Sequence, residues 1–370
     1  MSEGRSRPTP WRAAARAASW WGRRDSTLVL TPVVFAVLLV LPLGLDVSLF
    51  GASLSWLLSV HLLVVTLIYA VAATGWNLAA GLAGQFSFGH AAFFGLGAYA
   101  PLVLAREFAV SPWVGMVVGG ALAALYALLV GGLSYRYGVR GSYFALITLA
   151  FAEVLLYVFV NVEWLGAASG FVKPLPSAYG AEFGLAAFQF RGTLPYYYVV
   201  LGVLAVVTLL VLAVKRSRVG LYLAAVRDDE DGAAAVGIPA TRYKLFALAT
   251  SAFVTALAGS CWAMYSTSIR PRVVFGVLVN LDILLPAVVG GLGTVLGPLG
   301  GSFVLTVLSE LGRQSVGLPE LQRVVYGVVL LVVVIWTPGG VVSLPGRVAD
   351  RVRERLDRPG SVPVSEAESD

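Results

Sequence analysis

Long apolar stretches recur along almost the whole chain and alternate with short polar or glycine-rich segments. A helix needs about 20 mostly apolar residues to cross the hydrocarbon core of a bilayer, and fewer when a bundle surrounds it. Inside hydrocarbon the backbone must satisfy its own hydrogen bonds, which leaves helices and closed barrels, and runs this long favour helices. Charged residues make up only 12% of the chain, against about a quarter in soluble proteins. The sequence therefore predicts an all-α, polytopic transmembrane helix bundle.

The number of candidate helices sets the topology of this bundle. About ten segments qualify by length and hydropathy. Two of them, at 91–105 and 296–311, are short and flanked by glycine, which is typical of half-membrane or broken helices. The ten candidate spans are 28–45, 56–74, 91–105, 112–134, 142–162, 195–214, 245–265, 275–292, 296–311 and 324–337. An even number of crossings places both termini on the same side of the membrane.

Lys and Arg residues indicate which side that is, because cytoplasmic loops are enriched in them. They concentrate at 1–26, in the loop at 135–141, in the loop at 215–244 and at 341–370. With ten crossings these four regions all fall on the cytoplasmic side, and the loop at 163–194 falls outside. The net charge of +6 thus reflects membrane orientation, and we expect no nucleic-acid partner.

The chain then divides into three parts. Residues 1–26 form a basic cytoplasmic tail, retained because no small-residue cleavage site follows the first apolar run. Residues 27–340 form a transmembrane domain in the cell membrane, with the cytoplasmic loop at 215–244 and the external loop at 163–194. Residues 341–370 are charged and then rich in Pro, Ser and Glu, which predicts a partly disordered cytoplasmic tail.

A polar, glycine-rich segment interrupts the apolar pattern at 75–99. Its polar side chains include Asn77, Gln85, Ser87 and His90. Unpaired polar groups and irregular backbone at membrane depth need a protein-lined or watery cavity. These side chains therefore either line a pathway through the bilayer or tie a discontinuous helix to its neighbours. Glu153, within the fifth span, presents the same choice. A charge at the bilayer centre costs on the order of 3 kcal/mol, so its carboxyl group needs either a cavity or a bonding partner.

The cytoplasmic loop at 215–244 contains a second informative pattern. Acidic residues at 228–231 precede the small-residue run at 232–236, and Gly237 follows it. Acidic side chains favour the start of a helix, and glycine adopts the left-handed conformation that ends one. We expect a short helix of about two turns here. The alanines at 233–235 give it a surface of little bulk that is able to lie close in a groove of a partner.

Four segments carry a resemblance to a known family. They are GWNLAAGLAGQFSFGHAAFFGLGAYA at 75–100, RGSYFALITLAFAEVL at 140–155, AAVRDDEDGAAAVGIPATRYKLFALATSAFVTALAGS at 224–260 and GGLGTVLGPLGGSF at 290–303. Together, in one order over most of the chain, they resemble the permease subunits of branched-chain amino acid ABC importers. The run SYFALITLAFAE and the long external loop are similar to the larger of that family's two paired permease types.

The resemblance implies an assembly of several chains. In that family two permeases assemble in the membrane, two cytosolic ATPases bind beneath them, and an external solute-binding protein delivers the substrate. The implied role of the 215–244 loop is to carry the coupling helix that seats on an ATPase. The positions that match the coupling motif are Arg227, Asp228, Glu230, Ala233, Ala234 and Gly237. The candidates to line or gate the pathway for leucine, isoleucine and valine are Asn77, Gln85, Ser87, His90 and Glu153.

Catalytic and cofactor chemistry are not expected in this chain. The sequence contains no GxxxxGK[ST] phosphate-binding loop, so ATP must be hydrolysed by separate subunits. Two histidines and one cysteine offer no metal-ligand cluster, and we expect neither a metal site nor a cofactor. The chain is therefore interpreted as a permease subunit and not as an enzyme.

Two other functions share part of this pattern. Permeases for urea or short-chain amides have similar motifs, so the substrate class stays open between these and branched-chain amino acids. An ion-driven secondary transporter is favoured by Glu153, by Asp282 and by the broken glycine-rich segments. A coupling helix argues against that class, because an ion-driven carrier has no need of one.

Overall fold

Helices make up most of the computed structural model, which describes residues 30–44, 48–49, 52–53, 59–316 and 327–328. In chain order the helices are α1 (Leu30–Gly44), α2 (Val60–Asn77), α3 (His90–Phe108), α4 (Pro112–Arg136), α5 (Ser142–Asn161), α6 (Thr193–Arg216), α7 (Arg218–Asp228), α8 (Glu230–Ala235), α9 (Ala240–Tyr265), α10 (Pro271–Val274), α11 (Val277–Gly290) and α12 (Gly297–Val316). The strands β1 (Ser48–Leu49) and β2 (Ala52–Ser53) pair antiparallel, as do β3 (Phe171–Val172) and β4 (Ser268–Ile269). The prediction of a helical protein is confirmed.

Six stretches of helix in the described residues are long and apolar enough to cross a membrane. They are Val60–Leu82, Pro112–Arg136, Ser142–Asn161, Thr193–Arg216, Ala240–Tyr265 and Pro271–Gly290. The first nine predicted spans each overlap one of the helices. The segments at 91–105 and 296–311 belong to helices that run further than expected, to Phe108 and Val316. The tenth predicted span, at 324–337, lies outside the described residues apart from 327–328, and the predicted tails at 1–26 and 341–370 lie outside them altogether.

The helix α2 lies at the centre of the bundle. In its most apolar window 83% of the residues are buried, and it packs against α6, α9, α11 and α12. Thr66 Oγ1 donates to Thr306 Oγ1 in α12 at 2.9 Å. Small residues allow α3 and α9 to approach closely. The approach is shown by Ser260 Oγ in α9, which donates to the carbonyl of Gly97 in α3 at 2.7 Å. The apolar stripes and the small residues of the sequence therefore both end up in helix contacts.

The helix ends form two opposite faces of the bundle. One face, called here the basic end, carries α7, α8, the α4–α5 connection and the start of α9. Its described basic residues are Arg136, Arg140, Lys215, Arg216, Arg218, Arg227, Arg242 and Lys244. The other face carries the irregular segment at 162–192, whose strand β3 pairs with β4. Lys173 Nζ in this segment donates to the carbonyl of Met264 at 2.7 Å.

Two breaks interrupt helices inside the bundle. After α2 and a π-helical turn, residues 83–89 form the first break, and α3 begins at His90. His90 lies beside Ser251, about 16 Å along α9 from its first residue, so α3 begins near the middle of the bundle. Residues 291–296 form the second break, between α11 and α12, and lie against Gly81. The sequence prediction of broken helices near glycines is matched by these two segments.

Candidate coupling and transport site

The helix α8 corresponds to the short helix that the acidic and alanine runs predict. The Asp229 side chain accepts a hydrogen bond from Gly232 N at 2.9 Å and so satisfies a free amide at the helix start. Glu230 occupies the first turn, where a negative charge favours the helix dipole. Gly237 has a φ of 85°, a left-handed conformation that glycine adopts without strain, and the chain turns there towards α9. The helix covers six residues, slightly less than the two turns expected.

Only part of the alanine surface of α8 is free. Ala234 and Ala235 are exposed, whereas Ala233 is 5% exposed and packs with Val226 and Ala240. The expectation that all three alanines form one open surface is therefore wrong for Ala233. Successive residues of a helix point about 100° apart, so three in a row cannot share one face.

Ion pairs hold the start of α8 to its neighbours. Glu230 forms an ion pair with Lys244 in α9, and its carboxylate lies 3.7 Å from the Arg140 guanidinium. Arg140 also donates to Asp231 Oδ1 at 2.9 Å. This hydrogen bond and the charge of Glu230 raise the pKa of Arg140. Lys244 is only 3% exposed, so its buried charge depends on the carboxylate of Glu230.

Asn77 joins the end of α2 to the second break. Its Nδ2 donates to the carbonyl of Thr294 at 2.8 Å, and its Oδ1 accepts from Gly293 N at 2.8 Å. Lys215 Nζ, near the end of α6, donates to the carbonyl of Gly293 at 2.7 Å. Asn77 is 1% exposed, and both ends of its amide are used within the protein. This geometry gives Asn77 a scaffold contact, while its role in a pathway stays a prediction.

Ser87 and His90 are buried beside the same break. Trp76 Nε1 donates to the carbonyl of Ser87 at 2.8 Å. The Ser251 hydroxyl donates its single proton to the carbonyl of Gly75 at 2.7 Å. His90 Nε2 lies 2.7 Å from Ser251 Oγ and must therefore be the donor in that contact. Its Nδ1 has no hydrogen-bond partner among the described residues.

Gln85 ties the first break to the basic end. Its backbone N donates to the carbonyl of Ala79 at 2.9 Å, and its Nε2 donates to the carbonyl of Ala83 at 3.2 Å. Its Oε1 accepts a hydrogen bond from Tyr135 Oη, in the last turn of α4, at 3.0 Å. Gln85 is half-buried and its neighbour Phe86 is exposed, so the first break reaches the surface at this point.

Arg227 brings the coupling residues and the pathway residues together. Its Nη1 donates to the carbonyl of Gly81, in the π-helical turn before the first break, at 3.0 Å. Its Nε and Nη2 donate to Asp228 Oδ1 at 3.1 and 3.0 Å. One side chain of the predicted coupling motif thus contacts the backbone that leads into the predicted pathway segment.

Glu153 lies apart from this network. It is half-buried on α5, about 16 Å from the first residue of that helix, and makes no hydrogen bond or ion pair with any described residue. Thr148 on the same helix does contact the first break, because its Oγ1 accepts from Phe88 N at 3.1 Å. Glu153 points about 140° around the helix axis from Thr148. The structure therefore does not place Glu153 with the other predicted pathway residues.

Three contributors to the network were missed by the sequence reasoning: Tyr135, Lys244 and Ser251. Lys244 was counted only as a basic residue near a span, although it is buried. Ser251, Thr255 and Ser260 are polar, small and spaced along one apolar helix, and such a set often marks a helix face that meets another helix. This signal was available in the sequence. Nothing local distinguishes Tyr135 from a tyrosine at the membrane interface.

Arg140, Arg227 and Lys244 form ion pairs with the acidic residues 228, 230 and 231. Within the described ranges, no group of three His, Cys, Asp or Glu side chains is arranged to hold a metal ion. What the residues offer chemically is hydrogen bonding and charge pairing between the basic end and the two breaks.

Comparison with known proteins assigns the chain to a family. Residues 58–334 match the family model for the branched-chain amino acid transport system permease component. The chain belongs to this permease family. The matched region includes both breaks and the helices α7 and α8. The resemblance seen in the sequence is thereby confirmed.

Curated members of the permease family are similar over most of the chain. The high-affinity branched-chain amino acid transport system permease protein LivM of Escherichia coli K12 is 27% identical over 304 residues, 77% of this chain and 70% of LivM. LivH of Salmonella typhimurium is 24% identical over 290 residues, 75% of this chain and 92% of LivH. BraD of Pseudomonas aeruginosa is 24% identical over 288 residues, 75% of this chain and 92% of BraD. The identity is higher to LivM than to LivH, in agreement with the LivM-type resemblance.

Proposed function

We propose that this chain is a transmembrane permease subunit of an ATP-binding cassette importer and forms part of the pathway for leucine, isoleucine and valine. Membership of the permease family supports this, as does similarity to LivM, LivH and BraD, all named for high-affinity branched-chain amino acid transport. A solute-binding protein delivers the amino acid from outside. A second, related permease completes the membrane part, since the chain is similar to both LivM and LivH.

The observation that carries the coupling role is the construction of α8. This helix has a capped start, an ion-paired first turn and a buried side at Ala233, which together fix its position on the basic end. Its other side exposes Ala234 and Ala235, whose small side chains leave room for close contact. We infer that this side seats on a cytosolic ATPase. Two such ATPases bind and hydrolyse ATP for the complex, and this chain binds no cofactor of its own.

The distribution of charge supports one orientation in the cell membrane. The basic end faces the cytoplasm, because positively charged residues concentrate in cytoplasmic loops. The segment at 162–192 then faces outside. With about ten spans, counting the one expected at 324–337, both termini are cytoplasmic.

Transport by the reconstituted complex tests the proposal. Proteoliposomes are prepared with this chain, its second permease and the two ATPases, with the solute-binding protein outside and ATP within reach of the ATPases. We expect uptake of radiolabelled leucine that requires hydrolysable ATP and is inhibited by isoleucine and valine. Uptake of urea without uptake of leucine would overturn the substrate class. Leucine uptake by this chain alone, driven by an ion gradient, would overturn the transporter class.

A substitution on α8 tests the coupling role separately. Ala234→Trp places a large ring on the exposed side, and overpacking of this kind costs about 1–3 kcal/mol at a close contact. We expect ATP-dependent uptake to fall roughly tenfold while the protein stays in the membrane. Ala186→Trp is the matched control, because Ala186 is also exposed but lies at the opposite end of the bundle. Full uptake by the Ala234→Trp complex would exclude α8 as the coupling helix.

A further inference from the structure

A continuous series of contacts runs from α8 to the first break. Glu230, in the first turn of α8, pairs with Lys244 of α9. The Lys244 ammonium also lies over the ring of Tyr135, 5.1 Å from its centroid. Tyr135 Oη donates to Gln85 Oε1 at 3.0 Å, and Gln85 belongs to the first break. Four side chains thus connect the surface helix to the interrupted membrane helix.

Burial makes this series resistant to rearrangement. Lys244 is 3% exposed, and removing its partner leaves a buried charge unpaired. Its second contact, with the face of an aromatic ring, is strengthened by the same desolvation. The Tyr135 ring is in turn stacked on Phe144 of α5, with centroids 5.2 Å apart. A displacement of Glu230 therefore requires Lys244 to follow, and Tyr135 is held on both sides.

The far end of the series is anchored to backbone. Gln85 N donates to the carbonyl of Ala79, and Gln85 Nε2 donates to the carbonyl of Ala83. The side chain that accepts the hydrogen bond from Tyr135 is therefore fixed to the break itself. The neighbouring residues Gly84 and Phe86 are exposed, which leaves this part of the break without packing on one side. A displacement of Gln85 therefore acts on the least packed part of the first break.

We propose that Glu230, Lys244, Tyr135 and Gln85 form a relay that transmits displacement of α8 to the first break, with Lys244 and Tyr135 as positioning residues for the transport step. This inference rests on the proposed function, because it assumes that an ATPase moves α8. The relay operates beside the direct contact of Arg227 with Gly81. That second contact keeps the basic end assembled when one bond of the relay is removed.

The relay is tested with Tyr135→Phe in the complete reconstituted complex. This change keeps the ring over which Lys244 lies and removes only the hydroxyl that reaches Gln85. ATP hydrolysis should stay within about twofold of the unmodified complex, while leucine transported per ATP should fall about fivefold, the factor that one typical hydrogen bond is worth. The apparent KM for leucine should not change. Tyr126→Phe is the matched control, since Tyr126 Oη in the same helix donates to the carbonyl of Phe151 at 2.8 Å, outside the relay.

Gln85→Leu removes the other partner of the same bond. Gln85 is half-buried, so this change leaves the core intact and supplies the test if Tyr135→Phe does not assemble. The double variant should transport as much leucine per ATP as the weaker of the two single variants, because two changes that break one bond are not additive. Equal transport per ATP for Tyr135→Phe and Tyr126→Phe, or losses that multiply in the double variant, would overturn the relay. A raised KM for leucine in Gln85→Leu alone would instead assign Gln85 to substrate contact and also overturn it.

Failure of the relay is distinguishable from failure of the proposed function. An unmodified complex that takes up leucine with ATP, combined with a silent Tyr135→Phe variant, overturns the relay alone. An unmodified complex with no ATP-dependent uptake overturns the proposed function and the relay with it.

Discussion

Replacement of Asn77 by leucine tests whether one side chain joins the end of α2 to the second break. Both ends of its amide are bonded at 2.8 Å, one to Gly293 N and the other to the carbonyl of Thr294. Leucine is close to asparagine in size but offers neither a donor nor an acceptor. The two backbone groups lose their partner in a site where Asn77 is 1% exposed. Each buried polar group left without a partner costs about 1–3 kcal/mol, so for the two groups we expect a loss of roughly 2–6 kcal/mol in the free energy of unfolding.

Titration of the purified protein with SDS in mixed micelles measures this loss. Asn161→Leu is the matched control, because it makes the same chemical change at an exposed position of α5. The Asn161 side chain donates only to the carbonyl of Tyr157 in its own helix. Exposed substitutions of this kind usually change the free energy of unfolding by no more than about 0.5 kcal/mol. The difference between the two variants therefore isolates the contact between α2 and the second break.

The same experiment separates the two roles that the sequence left open for Asn77. Replacement of a scaffold residue lowers the free energy of unfolding, and it affects transport only through the amount of folded protein. A residue that lines the pathway changes the apparent KM for leucine at unchanged stability. If Asn77→Leu matches Asn161→Leu in unfolding and raises only the KM, the structural argument for Asn77 is refuted.

Two further predictions concern helix packing and pH. Gly97→Ala places a methyl group 2.0 Å from the carbonyl oxygen of Ala256 and should destabilise the protein by about 1–3 kcal/mol. Gly132→Ala, in α4 with no atom within 4 Å of the added methyl group, should raise the free energy of unfolding by up to about 1 kcal/mol in the same SDS titration. Equal effects of the two substitutions would contradict the close approach of α3 and α9. Burial lowers the pKa of Lys173 to about 8 from 10.5, so below pH 8 its charge destabilises the folded protein. Between pH 8 and 10.5 the unfolded chain still binds the Lys173 proton while the folded protein has lost it, so stability should rise with pH in this range. The thermal unfolding midpoint should rise between pH 7 and pH 9.5, and this rise should be smaller in Lys173→Met.

The sequence predicted those features that depend on neighbouring residues in the chain. Apolar length predicted nine segments that each overlap a helix, six of which lie in helices long and apolar enough to cross a membrane, and glycine clusters indicated that helices would be broken. The acidic run before small residues predicted α8, since capping and the helix dipole act within one or two turns. The error at Ala233 came from treating three consecutive alanines as one surface. In a helix, the direction of each side chain changes by about 100° per residue, and burial then depends on which neighbour lies on each side.

The partners of the polar residues could not be predicted, because they are distant in sequence. Tyr135 meets Gln85 across 50 positions, and Asn77 meets Gly293 across 216. Helix periodicity identifies a face that will be buried, but it does not say which other helix covers that face. The family resemblance identified the residues without their contacts. For this reason the sequence left the choice between pathway and scaffold open for Asn77, Ser87 and His90; the structure adds their hydrogen-bond partners, and a pathway role stays a prediction.

The polar segment at 75–99 is compatible with a membrane because many of its polar groups bond within the protein. In the first break the amide of Gly84 donates to the carbonyl of Ala80 and the amide of Gly89 donates to Ser87 Oγ. Hydrocarbon provides no hydrogen-bond partners, so backbone that leaves the helical pattern at membrane depth must find them within the protein. Asn77, Gln85 and His90, which look out of place in an apolar sequence, each form a hydrogen bond with a distant segment of the chain.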